Sequence, residues 1–273
     1  MDLNKIAGEG VAFAKGHGTG NDFIVIPDLD ASLDLSDAQV AAICDRRTGL
    51  GADGILRVVH AAKAAEAEGQ AAEWFMDYRN ADGSIAEMCG NGVRVFVRYL
   101  LDAGLAEGPT VPVATRAGLR VADVVGGDLR VDMSAARHLG TERVTMAGRE
   151  YTGEHVSMGN PHIVVEVTEE ELAALDLSGD PSFDPAVFPN KANVEFIAPT
   201  PTGVRMRVHE RGVGETQSCG TGACAAGAIG LAKGKGTATV DVPGGRLTVT
   251  VDERTLWLSG PAVIFAAGRV LIP

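Results

Sequence analysis

Short runs of apolar and β-branched residues recur along the chain, and many end in Gly, Pro, Asn or Asp. Runs of this kind, some of them alternating in polarity, are typical of β-strands. The clearest predicted strands span residues 55–59, 73–78, 121–125, 129–133, 194–198, 204–209, 237–242, 247–251 and 262–265. Glycine pairs at 126–127 and 244–245 each separate two of these runs, which predicts two hairpin turns at comparable places in the two halves.

Helical patterns are fewer. Ser36 and Gln39 are spaced as a capping box in front of a run through residues 40–44. The residues that follow Cys219 are small and apolar all round, which predicts a buried helix with close neighbours.

A third helix is predicted after Cys89. Apolar residues at positions 93, 96, 97, 100 and 101 fall on one helical face, and Arg94 and Arg98 share another face. With so many strands beside it, this pattern predicts an α+β fold in which antiparallel sheets pack on a helix in each half.

The two halves of the chain repeat the same features in the same order. Each half has a Gly-Asn pair before an apolar strand, a strand that ends in a polar residue, a loop, and a Cys-Gly-x-Gly motif before a helix. The matching segments are Gly20-Asn21 and Gly159-Asn160, Asn80 and Glu210 at nine residues before each cysteine, and Cys89-Gly90-Asn91-Gly92 and Cys219-Gly220-Thr221-Gly222. We therefore predict two pseudo-symmetric domains, residues 1–133 and 134–261, each a mainly antiparallel sheet wrapped on a central helix. The strand within residues 262–273 is expected to return to the first domain.

The formal net charge of −12 argues against nucleic acid or an anionic membrane as a partner, because both attract clustered Lys and Arg. No apolar run approaches the roughly 20 residues that span a bilayer, and residues 1–5 lack the character of a signal peptide. We therefore expect a cytoplasmic protein with reduced thiols.

Metal and cofactor sites are not predicted. Cys219 and Cys224 have a C-x₄-C spacing, but a structural zinc site usually needs a second closely spaced pair. The glycine-rich segment 49–54 lacks the Lys-Ser/Thr of a phosphate-binding P-loop, so a tight loop is the better interpretation. No lysine lies in a context that indicates a pyridoxal site.

Cys89 and Cys219 are the strongest chemical candidates. Each is predicted to begin a helix, where free backbone N–H groups and the helix dipole favour a thiolate and can lower its pKa. A pair of this kind suggests one thiolate that takes a proton and one thiol that gives one back. The alternative is that cysteines serve as small core residues, which suits Cys44 and Cys224 because both lie within apolar helical patterns.

Several polar residues near the repeats are candidate ligands. Asparagine amides can donate and accept hydrogen bonds and so suit an amino-acid zwitterion, although asparagine is also common in turns. Glu210 and Arg211 could pair with an ammonium and a carboxylate, or form a surface ion pair. His162 could tune a nearby thiol or cap the turn at Pro161. The candidate asparagines are Asn21, Asn80, Asn160 and Asn193.

Several segments in this order resemble diaminopimelate epimerases from about residue 13 to the C-terminus. The two cysteine motifs together with Glu210-Arg211-Gly212 are the most specific part. The other matching segments are His17-Gly18-Thr19-Gly20-Asn21-Asp22-Phe23, Tyr78-Arg79-Asn80-Ala81-Asp82-Gly83-Ser84, Gly159-Asn160-Pro161-His162 and Asn193-Val194-Glu195.

The resemblance implies interconversion of LL- and meso-diaminopimelate without cofactor or metal, in lysine and peptidoglycan precursor synthesis. It also implies a homodimer and two domains that close over the substrate. Cys89 and Cys219 would be the two acid–base groups, with His162 and Glu210 tuning their pKa values. Some relatives carry Gln where this chain has Gly54. The implied substrate ligands are Asn21, Asn80, Asn160, Asn193, Glu210 and Arg211, with the backbone at Gly90, Asn91, Gly220 and Thr221.

Two alternatives remain at this point. Proline racemases and hydroxyproline epimerases share the Cys-Gly-x-Gly motif, but they typically carry His where this chain has Asn91 and they lack the Glu210-Arg211-Gly212 context. A non-catalytic or redox-sensing thiol protein is the alternative from another class, and it would have no turnover to lose on alkylation.

Overall fold

The computed structural model describes residue 8 and residues 10–272. The segment 1–5, used above to argue against a signal peptide, and residue 273 lie outside the described residues. The chain divides into two compact units, the first with residues up to 131 and from 261 onward, the second with residues 132–260. No helix within the described part of the chain combines the length and apolar character needed to span a membrane.

The fold is a sheet-dominated α+β fold with few helices, as predicted. The α-helices are α1 (Asp37–Cys44), α2 (Gly90–Asp102), α3 (Glu169–Ala174) and α4 (Gly220–Gly230), and short 3₁₀ turns span Ala61–Lys63 and Ala65–Ala67. The strands are β1 (Val11–Gly18), β2 (Asn21–Pro27), β3 (Gly54–His60), β4 (Trp74–Asn80), β5 (Thr110–Ala114), β6 (Arg120–Val125), β7 (Asp128–Asp132), β8 (Arg137–Met146), β9 (Arg149–Ser157), β10 (Pro161–Glu166), β11 (Ser182–Phe183), β12 (Asn193–Thr200), β13 (Gly203–Glu210), β14 (Gly214–Thr216), β15 (Gly236–Val242), β16 (Gly245–Val251), β17 (Leu256–Gly260) and β18 (Val263–Val270).

The two units have the same internal strand order. In the first unit the order is β18-β1-β2-β3-β4-β5-β6-β7. In the second it is β8-β9-β10-β12-β13-β15-β16-β17, with β11 added beside β8 and β14 beside β13. The predicted hairpins at 126–127 and 244–245 are confirmed as the β6–β7 and β15–β16 turns.

Each sheet is mixed, although most of its neighbours are antiparallel. The parallel pairs are β2–β3 and β4–β5 in the first unit and β10–β12 and β13–β15 in the second. Parallel neighbours need a crossover connection. Helices α1 and α2 lie within the two crossovers of the first unit, and α3 and α4 within those of the second.

One helix lies at the centre of each unit. Helix α2 packs against β1 to β6 and β18, and α4 packs against β9, β10, β12, β13 and β15 to β17. The burial of α4 confirms the prediction of a helix that is apolar all round. In α2, Arg94 is completely buried although it is charged, because strands surround the helix instead of covering one face.

Candidate functional site

Cys89 occupies the N-cap of α2, as the sequence predicted. Its backbone is extended, with φ −142° and ψ 123°, and its Sγ accepts a hydrogen bond from the N–H of Gly92 at 3.4 Å. The absence of a side chain at Gly92 permits this approach, since an added Cβ would lie 3.3 Å from the Cβ of Cys89. The sulfur therefore takes the role that Ser or Asp has at other helix starts.

Cys219 has the same position on α4. Its φ of −111° and ψ of 118° are again extended, and its Sγ accepts from the N–H of Gly222 at 3.4 Å. The Oγ1 of Thr221 lies 3.5 Å from the sulfur. Cys219 is buried, whereas Cys89 is partly accessible.

Two linked asparagine amides lie on one side of Cys89. The Oδ1 of Asn21 lies 3.7 Å from the Cys89 sulfur and accepts a hydrogen bond from the Nδ2 of Asn91 at 3.2 Å. The structure thus brings these three predicted residues into direct contact. Gly90 forms the first turn of α2 beside them.

Asn80 has a local role in the described structure. Its Nδ2 donates to the Oγ of Ser84 at 3.0 Å, and its carbonyl accepts from the N–H of Gly83. It ends β4 opposite Gly54 of β3. A Cβ at Gly54 would collide with the carbonyl oxygen of Arg79 and would lie 2.8 Å from the Tyr78 ring, so this backbone has no room for a glutamine there.

A buried acid–histidine pair supports the residues around Cys219. Asn160 donates from Nδ2 to the Oγ1 of Thr221 at 3.3 Å, and its Oδ1 lies 3.0 Å from His162 Nε2. The other ring nitrogen of His162 lies 2.7 Å from Oε1 of Glu195, and both side chains are fully buried. His162 therefore reaches Thr221 through Asn160.

The remaining predicted ligands of the second unit cluster at the ends of β12 and β13. Asn193 Oδ1 accepts from the backbone N–H of Arg211 at 2.9 Å, and its Nδ2 donates to the carbonyl of Pro161 at 3.4 Å. Glu210 accepts from the hydroxyl of Thr216 at 2.5 Å. Arg211 is exposed, which leaves its guanidinium accessible to an anion.

Burial raises the pKa of the Cys219 thiol well above its usual value, and the charges of Glu210 and Glu195 raise it further. The hydroxyl of Thr221 and the N–H of Gly222 act in the opposite direction but are outweighed. The expectation that the helix start lowers the pKa of this cysteine is therefore wrong, because burial and the two carboxylates outweigh the N–H of Gly222. Of the two residues proposed to tune a thiol, Glu210 is among the causes of this shift.

Cys44 and Cys224, which the sequence predicted to be core residues, are both buried. Cys224 is completely buried in α4, and burial raises the pKa of Cys44 to about 12. Buried structural thiols of this kind are unreactive. Among residues 8 and 10–272, no group of three or more His, Cys, Asp or Glu side chains is placed to hold a metal ion.

Sequence reasoning missed Glu195, Asp53 and Arg94. A signal existed for two of them, because Glu195 interrupts an apolar strand and Arg94 stands between Val93 and Val95 just after the first cysteine motif. Asp53 accepts from Asn21 Nδ2 at 2.7 Å, a contact between segments 32 residues apart that no local pattern indicates.

The fold is shared with several solved structures of low sequence identity. A phenazine biosynthesis protein of the PhzF family from Bacillus anthracis is 18% identical, with a TM-score of 0.69, over 96% of this chain and 99% of that one. A hydroxyproline epimerase from Agrobacterium vitis is 14% identical, with a TM-score of 0.67, over 95% and 92% of the two chains. These likenesses define the fold class.

Sequence comparison defines the family. The model of the diaminopimelate epimerase family matches residues 13–139 and 155–270. The diaminopimelate epimerase of Rhodococcus erythropolis is 51% identical over 94% of this chain and 95% of its own length. That of Mycobacterium tuberculosis is 50% identical over 94% and 96%. Fold and sequence together place the chain among the isomerases that act as epimerases, and it belongs to the diaminopimelate epimerase family.

Proposed function

We propose that this chain interconverts LL- and meso-diaminopimelate, with Cys89 and Cys219 as the two acid–base groups and without a cofactor or metal. The observation that carries the proposal is the repeated N-cap cysteine. Each unit offers one sulfur at the start of its central helix, within reach of the N–H of a glycine three residues on. The proposed reaction needs one group of this kind for each side of the α-carbon.

The chemistry follows from the weakness of the α-hydrogen as an acid. One thiolate removes the α-proton, the resulting charge spreads into the α-carboxylate, and the other thiol donates a proton to the opposite face. Backbone N–H groups at a helix start stabilise negative charge as it develops. Gly90 and Asn91 of α2, and Gly220 and Thr221 of α4, would supply such groups.

The polar side chains would hold the two amino-acid groups of the substrate. Glu210 can accept from an ammonium, and the exposed guanidinium of Arg211 can bind a carboxylate in a bidentate manner. Asn193 supports this part of the site by accepting from the Arg211 backbone. Asn21, Asn80 and Asn160 would contact the substrate through amides that now bond within the protein.

The deciding experiment is proton exchange in heavy water with purified protein. LL-diaminopimelate should gain deuterium at the α-carbon and yield the meso isomer, while L-proline should not exchange. Exchange with L-proline but not with diaminopimelate would assign the chain to the proline racemase activity instead. Exchange with neither substrate would favour a non-catalytic thiol protein.

We also propose a homodimer. The edge strand β18 carries Val263 and Phe265 at 44% and 56% exposure, and among the described residues β18 pairs only with β1. Large exposed apolar side chains on an edge strand suit an interface. Light scattering should give twice the chain mass, and Phe265→Asp should shift it to the monomer.

The cellular setting is proposed from the same chemistry. Reduced thiols at positions 89 and 219 suit the cytoplasm. Supply of meso-diaminopimelate would serve lysine and peptidoglycan precursor synthesis. Cells that lose this chain should accumulate the LL isomer and require added meso-diaminopimelate, and growth without it would contradict this role.

A further inference from the structure

A chain of side-chain amides in the first unit connects Cys89 to a charged group at each end. The Cys89 sulfur faces Asn21 Oδ1 at 3.7 Å, and the same oxygen accepts from Asn91 Nδ2 at 3.2 Å. Arg94 lies beyond Asn91, and Asp53 lies beyond Asn21. The two ends differ in charge, so together they can determine which way every amide between them points.

The Arg94 end requires an acceptor. A guanidinium only donates, and Nη2 of Arg94 donates to Asn91 Oδ1 at 3.0 Å. The Nδ2 of Asn91 must then face Asn21, which must offer its oxygen. Arg94 is fixed in place, because it is fully buried and a Cβ at Gly18 would lie 2.9 Å from its Nη2.

The Asp53 end requires a donor. A carboxylate only accepts, and Oδ2 of Asp53 accepts from Asn21 Nδ2 at 2.7 Å and from the backbone N–H of Asp22 at 3.1 Å. Arg46 holds the other oxygen of Asp53 at 2.7 Å. The amide nitrogen of Asn21 is therefore on the Asp53 side, and its oxygen is on the cysteine side. Both ends give the same direction independently.

The second unit shows that the repeated fold alone does not impose this direction. The matching Asn160 turns its Nδ2 toward Thr221, the residue beside Cys219, and its Oδ1 toward His162. Five residues after the cysteine, where the first unit has Arg94, the second has Cys224. The two matching asparagines thus present opposite ends to their cysteine motifs.

We propose that Asp53 is a positioning residue that holds the carbonyl oxygen of Asn21 against the Cys89 thiol. The importance of this contact for turnover rests on the proposed function, but the contact itself does not. A carbonyl oxygen accepts from S–H and disfavours a thiolate, so this contact opposes the thiolate-stabilising N–H of Gly92. The charged side chains that pair with one another or with these amides are Lys15 on β1, Asp22 on β2, Arg46 and Asp53 before β3, and Arg94 on α2. Glu87 precedes Cys89 by two residues in the chain.

The test compares Asp53→Ala with Asp53→Asn in ligand-free protein. Both variants remove the same negative charge, but only asparagine keeps an oxygen that can accept from Asn21. The backbone N–H of Asp22 points at this position, so the new asparagine should turn its side-chain oxygen toward it. The flipped amide would instead place its NH₂ group against that N–H, which brings two donors together. Alkylation of Cys89 by iodoacetamide, followed by peptide mass spectrometry across a pH series, reports its thiolate.

In Asp53→Ala, the Asn21 side chain loses its hydrogen bond to Asp53 and keeps the one from Asn91. Its oxygen should then be away from the Cys89 sulfur for part of the time. The midpoint of the Cys89 alkylation profile should then move to lower pH by up to about one unit, as expected for loss of one hydrogen bond to the neutral thiol. Asp53→Asn should show a smaller shift. Arg46→Ala keeps the acceptor and removes a positive charge, so its midpoint should not fall.

Equal shifts in the alanine and asparagine variants would show that only charge matters and would overturn the proposal. An unchanged midpoint in a folded alanine variant would do the same. If Asp53→Ala does not fold, Asp53→Leu keeps the branched shape without an acceptor and takes its place. Because no substrate is present, the result is independent of whether diaminopimelate is turned over, which the heavy-water exchange decides.

Discussion

Nδ1 of His162 lies 2.7 Å from Oε1 of Glu195, and neither side chain is exposed to solvent. The pair places negative charge near Cys219 and orients Asn160, whose amide contacts Thr221. Among the described residues, Oε2 of Glu195 has no hydrogen-bond partner. Removing one member of such a buried pair is costly, because the other is left desolvated and unpaired.

Glu195→Gln removes one of the two charges that raise the pKa of Cys219. The amide can still accept from His162, so the local packing is retained. The midpoint of Cys219 alkylation should move to lower pH but stay above that of an ordinary cysteine, because burial remains the largest cause. Peptide mass spectrometry across a pH series measures it. Glu210→Gln should act in the same direction, and a shift to higher pH in either variant would contradict the electrostatic account.

Gly222→Ala should break the Glu195–His162 contact. An added Cβ would lie 2.5 Å from Oε1 of Glu195, so the carboxylate must move. We expect a loss of stability of about 1–3 kcal/mol, typical of overpacking, together with reduced turnover. Urea unfolding and the turnover assay measure the two effects.

Gly227→Ala on the same helix is the matched control, because its Cβ would meet Val249 at 2.6 Å, away from the cysteine. It should lose stability while keeping more of its turnover. Equal turnover in the two variants would show that the carboxylate position is unimportant.

Cys89→Ala and Cys219→Ala should each reduce turnover by at least about a hundredfold, since each removes a proposed proton-transfer group. The fold should remain, because each sulfur lies at a helix start and the substitution removes only that one side-chain atom. Cys224→Ala, in the same helix as Cys219, is the control and should retain activity with a modest loss of stability. Circular dichroism and the deuterium assay separate folding from catalysis. Near-normal epimerisation by either variant would rule out the two-cysteine mechanism.

Arg57 stabilises the first unit by pairing with two buried carboxylates, Asp28 at 2.5 Å and Asp77 at 2.7 Å. Arg57→Ala should cost about 3–5 kcal/mol at pH 7, because both acids lose a buried partner. Arg98→Ala is the control, since its pair with Asp102 is more exposed and should contribute under about 1 kcal/mol. Urea unfolding at several pH values measures both.

The pH dependence of this effect has a defined sign. Burial alone would raise the pKa of Asp28, but Arg57 and the donors at Leu33 and Ser32 outweigh it and lower the pKa below the usual 3.8. A lowered pKa stabilises the folded chain above pH 3.8, and that contribution is lost as the pH falls below it. The difference between wild type and Arg57→Ala should therefore shrink on acidification. A difference that grows below pH 4 would contradict this explanation.

Local sequence patterns were sufficient to predict the helices that begin at Cys89 and Cys219. The capping box at Ser36 and Gln39, the helices after Cys89 and Cys219 and most predicted strands are confirmed. Strands β8 and β9 were not among the predictions, because most of their residues are polar or glycine and neither strand has a sustained apolar alternation. The parallel pairs were also missed, since pairing partners depend on long-range packing.

The sequence by itself determined the repeat and the two helix-capping thiols, because caps, glycine turns and apolar periodicity act between residues close in the chain. Only the tertiary structure decided the electrostatic environment of each sulfur. Cys89 and Cys219 lie in similar motifs, yet Asp53 and Arg94 set the amides around one and Glu195 and Glu210 surround the other. Asp53 and Glu195 come from distant segments, and burial strengthens charges whose proximity no local pattern specifies.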